Sequence, residues 1–217
     1  MRVLRVDPQN PAPATVREAA EALARGAIVA FPTDTLYGLA VDPRNDRAVD
    51  RVYAVKGRAF DHPLPLIAAD EDQAATQAGE LSELARALAT EFWPGPLTLI
   101  VAAHPTLCAR VHARTGQVAV RVPAHATARA LARAAGHPIT ATSANISGGT
   151  PASTGEEVMA ALDNSIDLLL DAGPTPGGLP STIVDATGTT PRLVRAGVVP
   201  WDRVLRSVQC RPPTGVS

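Results

Sequence analysis

Phe31-Pro32-Thr33-Asp34-Thr35-Leu36-Tyr37-Gly38-Leu39-Ala40 follows directly on Ala27-Ile28-Val29-Ala30, a short apolar run of strand type. The run supplies a strand, and the ten residues after it set Pro, two Thr, Asp, Tyr and Gly among apolar Leu36, Leu39 and Val41. A segment of that mixture sits half in a core and half against a pocket, where hydroxyls and backbone amides can hold a small polar ligand. The same residues also read as a strand edge with an ordinary turn.

Outward from this stretch the chain alternates helix and strand. Upstream, Thr15-Val16-Arg17-Glu18 has the spacing of a capping box, and Gly26 closes the Ala/Leu-rich run that follows. Downstream, residues 46–55 carry Val49, Val52 and Tyr53 at helical spacing and end at Lys56-Gly57-Arg58. Leu64-Pro65-Leu66-Ile67-Ala68 reads as a strand whose prolines predict an edge or an irregular start. A helix over 82–92 is stopped by Trp93-Pro94-Gly95-Pro96. Strands at 97–101 and 118–122, a helix over 127–135, and Pro138-Ile139-Thr140-Ala141-Thr142 leading into Ser143-Ala144-Asn145 continue the pattern. A short helix capped at Thr154-Gly155-Glu156-Glu157 and strands at 166–170, 181–185 and 191–195 complete it. Alternation without an internal repeat predicts one α/β domain over 1–210, and connections too short for helical crossovers make its sheet mixed. Residues 211–217 lack apolar content and are expected to fray.

Composition narrows the function. The 217 residues are 46% hydrophobic and 19% charged with a net charge of −1, which disfavours a protein coated in basic charge for duplex nucleic acid. Cys108 and Cys210 form no C-x-x-C pattern, so neither a disulfide framework nor a thiolate metal site is expected. The charged N-terminus lacks the core of a signal peptide and no window is apolar enough to span a bilayer, so a cytoplasmic protein is expected.

No P-loop or G-x-G-x-x-G turn is present, the five histidines show no zinc-ligand spacing, and neither Ser143 nor Ser181 sits in a nucleophile elbow. What stands out is cations at element ends: Lys56, Arg58, Arg121 and Arg195. Arg121 lies among Val118, Ala119, Val120 and Val122, and a buried guanidinium calls for an anion or several acceptors. A bound carboxylate or phosphate would supply both. The cations favour a polyanionic ligand, with Thr33, Thr35, Ser143, Asn145 and Ser181 giving orientation.

These residues fall in ordered blocks: residues 32–39, Lys56-Gly57-Arg58, Trp93-Pro94-Gly95-Pro96-Leu97-Thr98, Val120-Arg121-Val122-Pro123, Ser143-Ala144-Asn145-Ile146-Ser147-Gly148, Ser181-Thr182-Ile183-Val184-Asp185 and Arg195-Ala196-Gly197. The series resembles the motifs of the YrdC/Sua5 family, in its short single-domain type. The resemblance implies a twisted mixed sheet with flanking helices and a large concave cavity. It implies a synthase that joins L-threonine, bicarbonate and ATP into threonylcarbamoyl-AMP for the t6A modification of tRNA. By the same resemblance Thr35, Arg121 and Ser181 contact threonine, while Lys56, Arg58, His62, Ser143, Asn145 and Arg195 hold ATP. Lys56 and Arg58 carry the catalytic charge, and Mg2+ is held mainly by the ATP phosphates. The implied partners are the downstream t6A transferase machinery and, weakly, RNA. Ala59 and Ile67 depart from residues common in the family, which bears on amino-acid preference. Two other readings remain open: an RNA-binding module without synthase activity, and a sibling enzyme that makes a carbamoyl adenylate.

Overall fold

The computed structural model describes residues 1–162 and 164–209, so the expected tail at 211–217 lies outside the described residues. In chain order the elements are β1 (Arg2–Arg5), α1 (Pro13–Ala24), β2 (Val29–Phe31), β3 (Gly38–Ala40), α2 (Asp46–Lys56), β4 (Leu66–Ile67) and α3 (Glu71–Gln73), which runs into a π-helical turn (Ala74–Ala78). There follow α4 (Glu83–Phe92), β5 (Leu97–Ala102), β6 (Gln117–Arg121), α5 (Ala126–Ala135), β7 (Ile139–Thr140) and β8 (Thr142–Ser143). The last are α6 (Gly155–Leu162), β9 (Leu168–Asp171), β10 (Thr182–Asp185), β11 (Arg192–Arg195) and α7 (Trp201–Gln209).

The apolar run at 28–31 is buried on both faces, and its alternation divides the core in two. Ile28 and Ala30 join the larger cluster with Tyr37, Leu39, Leu88 and Leu97, whereas Val29 and Phe31 join a smaller one with Leu23, Leu131 and Ile139. Successive side chains of a strand point to opposite faces, so a strand feeding two cores must be apolar throughout. α1 and α5 cover the smaller cluster through Ala19, Ala20, Ala128 and Ala132, small enough for close approach.

The single mixed sheet expected from the sequence is two mixed sheets in one domain. One has the order β1-β9-β2-β3-β8, the other β11-β10-β5-β6-β4-β7. They are joined where one extended segment changes sheet: β7 pairs with β4 in the second, and β8 pairs with β3 in the first. Between them Ala141 N–H donates to Pro65 O at 2.8 Å.

Other expectations change in detail. α1 begins at Pro13 with Ala12 as N-cap and no side-chain cap, so Thr15 and Glu18 do not form a capping box. Proline in the first turn loses no hydrogen bond there, and Glu18 pairs with Arg2 instead. The strand expected at 64–68 shrinks to Leu66–Ile67 and lies between β6 and β7 rather than at an edge. Pro63 and Pro65 lie before it, where a missing N–H breaks no ladder. At Thr154 the box holds in part: Thr154 Oγ1 accepts from Glu157 N–H at 3.2 Å, while Glu157 reaches back to Ser153 N–H at 2.6 Å. β1 and α7 had no counterpart in the sequence reading. Pro200 followed by Trp201, Val204, Leu205 and Val208 was the available signal for α7, which packs on α4 with Arg203 over the Phe92 ring. Among the described residues no helix is long and apolar enough to cross a membrane.

Candidate functional site

Where the second sheet faces the hairpin of β2 and β3, alternation lays down the floor of a cleft. On β5, Leu97, Leu99 and Val101 enter the core, leaving Thr98 and Ile100 on the other face; on β6, Val118 and Val120 enter it, leaving Ala119 and Arg121. The register aligns these side chains, because Ile100 pairs with Ala119 and Thr98 with Ile183. The resulting space of about 350 Å3 is walled by Thr33, Thr35, Arg58, Ser143, Ser181 and Arg195. A second, more open space of about 360 Å3 adjoins it, lined by Lys56, Arg58, His62, Ser143 and Asn145 among others. Arg58 and Ser143 belong to both, so they are two lobes of one site.

The hairpin loop presents Thr35 through a local network. Thr33 Oγ1 accepts from the Thr35 and Leu36 N–H groups at 3.2 Å each and donates to Leu36 O at 2.7 Å. Its one proton being used, the 3.0 Å contact between the two hydroxyls takes its proton from Thr35, whose oxygen keeps lone pairs for the cleft. Gly177 N–H donates to Thr35 O at 2.9 Å and ties the glycine-rich loop to the hairpin.

Arg121 stands on the cleft face of β6 with its side chain only 8% exposed. The anion its burial requires is internal: Nη1 donates to Asp34 Oδ1 at 2.8 Å, so burial alone does not demand a bound anion. Burial lowers the Arg121 pKa and Asp34 opposes that shift. Arg195, at the end of β11, donates to Ser181 O at 2.8 Å and Ser181 Oγ at 3.2 Å; Ser181 Oγ also meets buried Thr98 Oγ1 at 2.8 Å. Desolvation and then the neighbouring Arg121 charge lower the Arg195 pKa.

In the other lobe Lys56, the last residue of α2, is 2% exposed. Gly57 follows it in the left-handed conformation, φ 57°, and turns the chain so that Arg58 returns toward the cleft. Lys56 Nζ donates to Ser143 O at 2.6 Å and Asn145 O at 2.8 Å, neutral acceptors without a carboxylate. Burial, and then Arg58, push its pKa down to about 8. Asn145 Nδ2 donates to Ile146 O and Gly149 O at 2.9 and 2.6 Å, so this side chain holds the 145–149 turn as well as lining the lobe. Arg58 makes one long contact, donating to Thr142 Oγ1 at 3.4 Å. His62 stays exposed at the rim, its carbonyl held by Tyr53 OH at 2.6 Å.

All the site residues read from the sequence therefore line this cleft. The division between the lobes differs at Arg195, which lies beside Arg121 and Ser181 rather than with Lys56 and His62. Sequence reasoning missed Thr98, Thr142 and the role of Asp34. A threonine between Leu97 and Leu99 carried the same signal as Arg121, a polar residue at an every-second position of an apolar strand.

Compared with known proteins, the chain is 40% identical over 190 residues to the threonylcarbamoyl-AMP synthase of Bacillus subtilis, covering 87% of this chain and 55% of that protein. It thus spans little more than half that relative's length. To the threonylcarbamoyl-AMP synthase of Idiomarina loihiensis it is 36% identical over 176 residues, 77% of this chain and 91% of that protein. The structure of Pyrococcus abyssi Sua5 complexed with L-threonine matches with a TM-score of 0.90 at 35% identity, over 96% of this chain and 61% of that one. The Sua5/YciO/YrdC family model, described as "Telomere recombination", matches residues 21–197. That span holds the hairpin, the Lys56 turn and the strands of Arg121, Ser181 and Arg195, and the chain belongs to the Sua5/YciO/YrdC family.

Proposed function

We propose that this chain makes threonylcarbamoyl-AMP and pyrophosphate from L-threonine, bicarbonate and ATP. The observation that carries the reading is the two-lobed cleft. One lobe sets Arg121 and Arg195 among the hydroxyls of Thr35, Thr98 and Ser181, the other gathers Lys56, Arg58 and His62, and Arg58 and Ser143 stand where the lobes meet. The names of the synthase relatives and the threonine complex of the Pyrococcus protein support it.

In this reading Arg121 and Ser181 take the threonine carboxylate and Thr35 accepts from the amino group. Threonine's amine combines with bicarbonate to give a carbamate and water. A carbamate oxygen then bonds to the α-phosphorus as the bond to the β-phosphate oxygen breaks and pyrophosphate leaves. No covalent enzyme intermediate is needed, so the protein contributes position and charge. Lys56 and Arg58 offset phosphate charge in the second lobe, Arg195 adds its charge from the first lobe beside Arg121, Ser143 and Asn145 shape the second lobe, and His62 covers the nucleotide at its rim. Mg2+ would be carried mainly by the ATP phosphates and water, as is usual for this cation beside nucleotide phosphates. When bound it supplies charge neutralisation at the phosphates.

The product is an activated mixed anhydride, to be consumed by the t6A transferase machinery acting on tRNA in the cytoplasm. Lys56 and Arg121 lie inside the cleft rather than on an exposed basic surface, so a small polyanion that can enter the cleft suits the site better than an RNA backbone. A pyrophosphate-release assay tests the function. Release should require threonine, bicarbonate and Mg2+ together with ATP, and equal release without threonine would end this reading. Carbamoyl phosphate in place of threonine and bicarbonate tests the carbamoyl-adenylate alternative and should give none.

A further inference from the structure

We infer that Asp34 is a positioning residue for amino-acid binding, acting through Arg121: its carboxylate holds the guanidinium at the angle the substrate carboxylate meets. This rests on the proposed threonine site.

Asp34 stands between Thr33 and Thr35, which line the cleft, yet its own carboxylate turns to β6. The pair therefore joins the first sheet's hairpin to the second sheet across the cleft floor. It is single-pronged. Nη1 alone is bonded, and among the described residues the remaining guanidinium N–H groups have no hydrogen-bond partner. Asp34 Oδ2 is buried without a partner, and among the described residues Arg121 is the side chain hydrogen-bonded to this carboxylate, through Oδ1.

Two considerations favour function over stability. A buried ion pair is on average no more stabilising than an apolar pair of the same volume, and one with an orphaned oxygen is worse. Arg195 moreover lies beside Arg121 in the same lobe, and the like charge of Arg121 adds to burial in lowering the Arg195 pKa. Asp34 offsets that repulsion and keeps both guanidinium groups in place before substrate arrives. The other ionisable group facing Asp34 is His125, at the N-terminus of α5, whose buried Nδ1 has no partner. Burial lowers the His125 pKa and Asp34 opposes that shift; among the described residues the cation hydrogen-bonded to Asp34 is Arg121.

Calorimetric titration of threonine and of ATP into the wild type, Asp34→Asn, Arg121→Lys and the double variant tests this. Asp34→Asn should weaken threonine by about tenfold or more, the loss of one charge-assisted hydrogen bond, and change ATP by no more than about twofold. In the Arg121→Lys background the same substitution should add about twofold at most, since the group it orients is gone. Unchanged threonine affinity in a folded Asp34→Asn overturns the proposal. So does a full effect that persists beside Arg121→Lys, which would put Asp34 on the substrate itself. Should Asp34→Asn not fold, Asp34→Glu keeps the charge but moves the carboxylate by one methylene. It should weaken threonine severalfold, and wild-type affinity there overturns the proposal too. A wild type that binds ATP and not threonine fails the amino-acid reading itself, an outcome distinct from all of these.

Discussion

Lys56 shows how one side chain can be both a tie and a charge. Its ammonium holds two carbonyls of the 143–145 segment, and no carboxylate is among its hydrogen-bond partners, so burial lowers its pKa to about 8. The positive charge is present below that value and is lost as pH rises through it, well before an ordinary lysine would titrate. ATP affinity measured without threonine should therefore be flat near pH 7 and fall roughly tenfold between about pH 7.5 and 9, the size of one charge-assisted contact. Lys56→Met should bind ATP weakly at every pH and abolish the slope. A wild-type affinity flat to pH 9 would reduce Lys56 to a tie. The folded value lies below the ordinary lysine value of 10.5, so between about 8 and 10.5 the unfolded chain holds the extra proton. Over that window the Lys56 contribution to stability rises with pH.

Among the elements, β10 and the segment after β11 approach closely beside the cleft. A Cβ at Gly197 would lie 2.2 Å from Pro180 O and 2.6 Å from Ser181 C, so the glycine is required by approach rather than by dihedral. Gly197→Ala should push the start of β10 and Ser181 off the cleft wall. Threonine KM should rise, and urea unfolding should show a loss of about 1–3 kcal/mol, the usual cost of overpacking. Gly57→Ala is the contrast: its Cβ would meet nothing within 4 Å, but φ is 57°. It should cost about 1–2 kcal/mol from the left-handed conformation and leave threonine KM unchanged. Equal effects of the two substitutions on threonine KM would count against a role for the 180–181 wall.

At the scale of the whole molecule, the two cores share β2 and the two sheets share the segment that becomes β7 and β8. Neither sheet can open without exposing side chains of the other. Leu88→Ala in the larger core and Leu131→Ala in the smaller, both fully buried, should each cost about 2–5 kcal/mol. Denaturation followed by circular dichroism and by the fluorescence of Trp93 and Trp201 should give one coincident transition for both variants. A biphasic curve for Leu131→Ala alone would mean that the α1/α5 layer unfolds independently.

The local signals were sufficient for what depends on local chemistry. Residues 46–56 and 83–92 are helices because their apolar spacing, the Asn45 and Ser82 caps and the Gly57 stop all agree along one contiguous segment. Arg121 was legible for a related reason: a charged side chain in an apolar strand breaks the alternation and calls for a partner, whereas most of the other cleft residues were implied by the family resemblance. The sequence by itself thus determined the α/β alternation, helices such as 46–56 and 83–92 whose spacing, caps and stops agree, and the candidate cations, but not α7. It did not determine which strands are neighbours, because pairing and register are settled between segments far apart in the chain. Only the tertiary structure decided that residues 139–143 divide between two sheets, and that Leu66–Ile67 lies inside a sheet rather than at its edge. It also decided that the anion beside Arg121 is Asp34, 87 residues away. The sequence marked a buried guanidinium that needs a partner, but Coulomb attraction acts through space, and the fold alone brings that carboxylate to 2.8 Å.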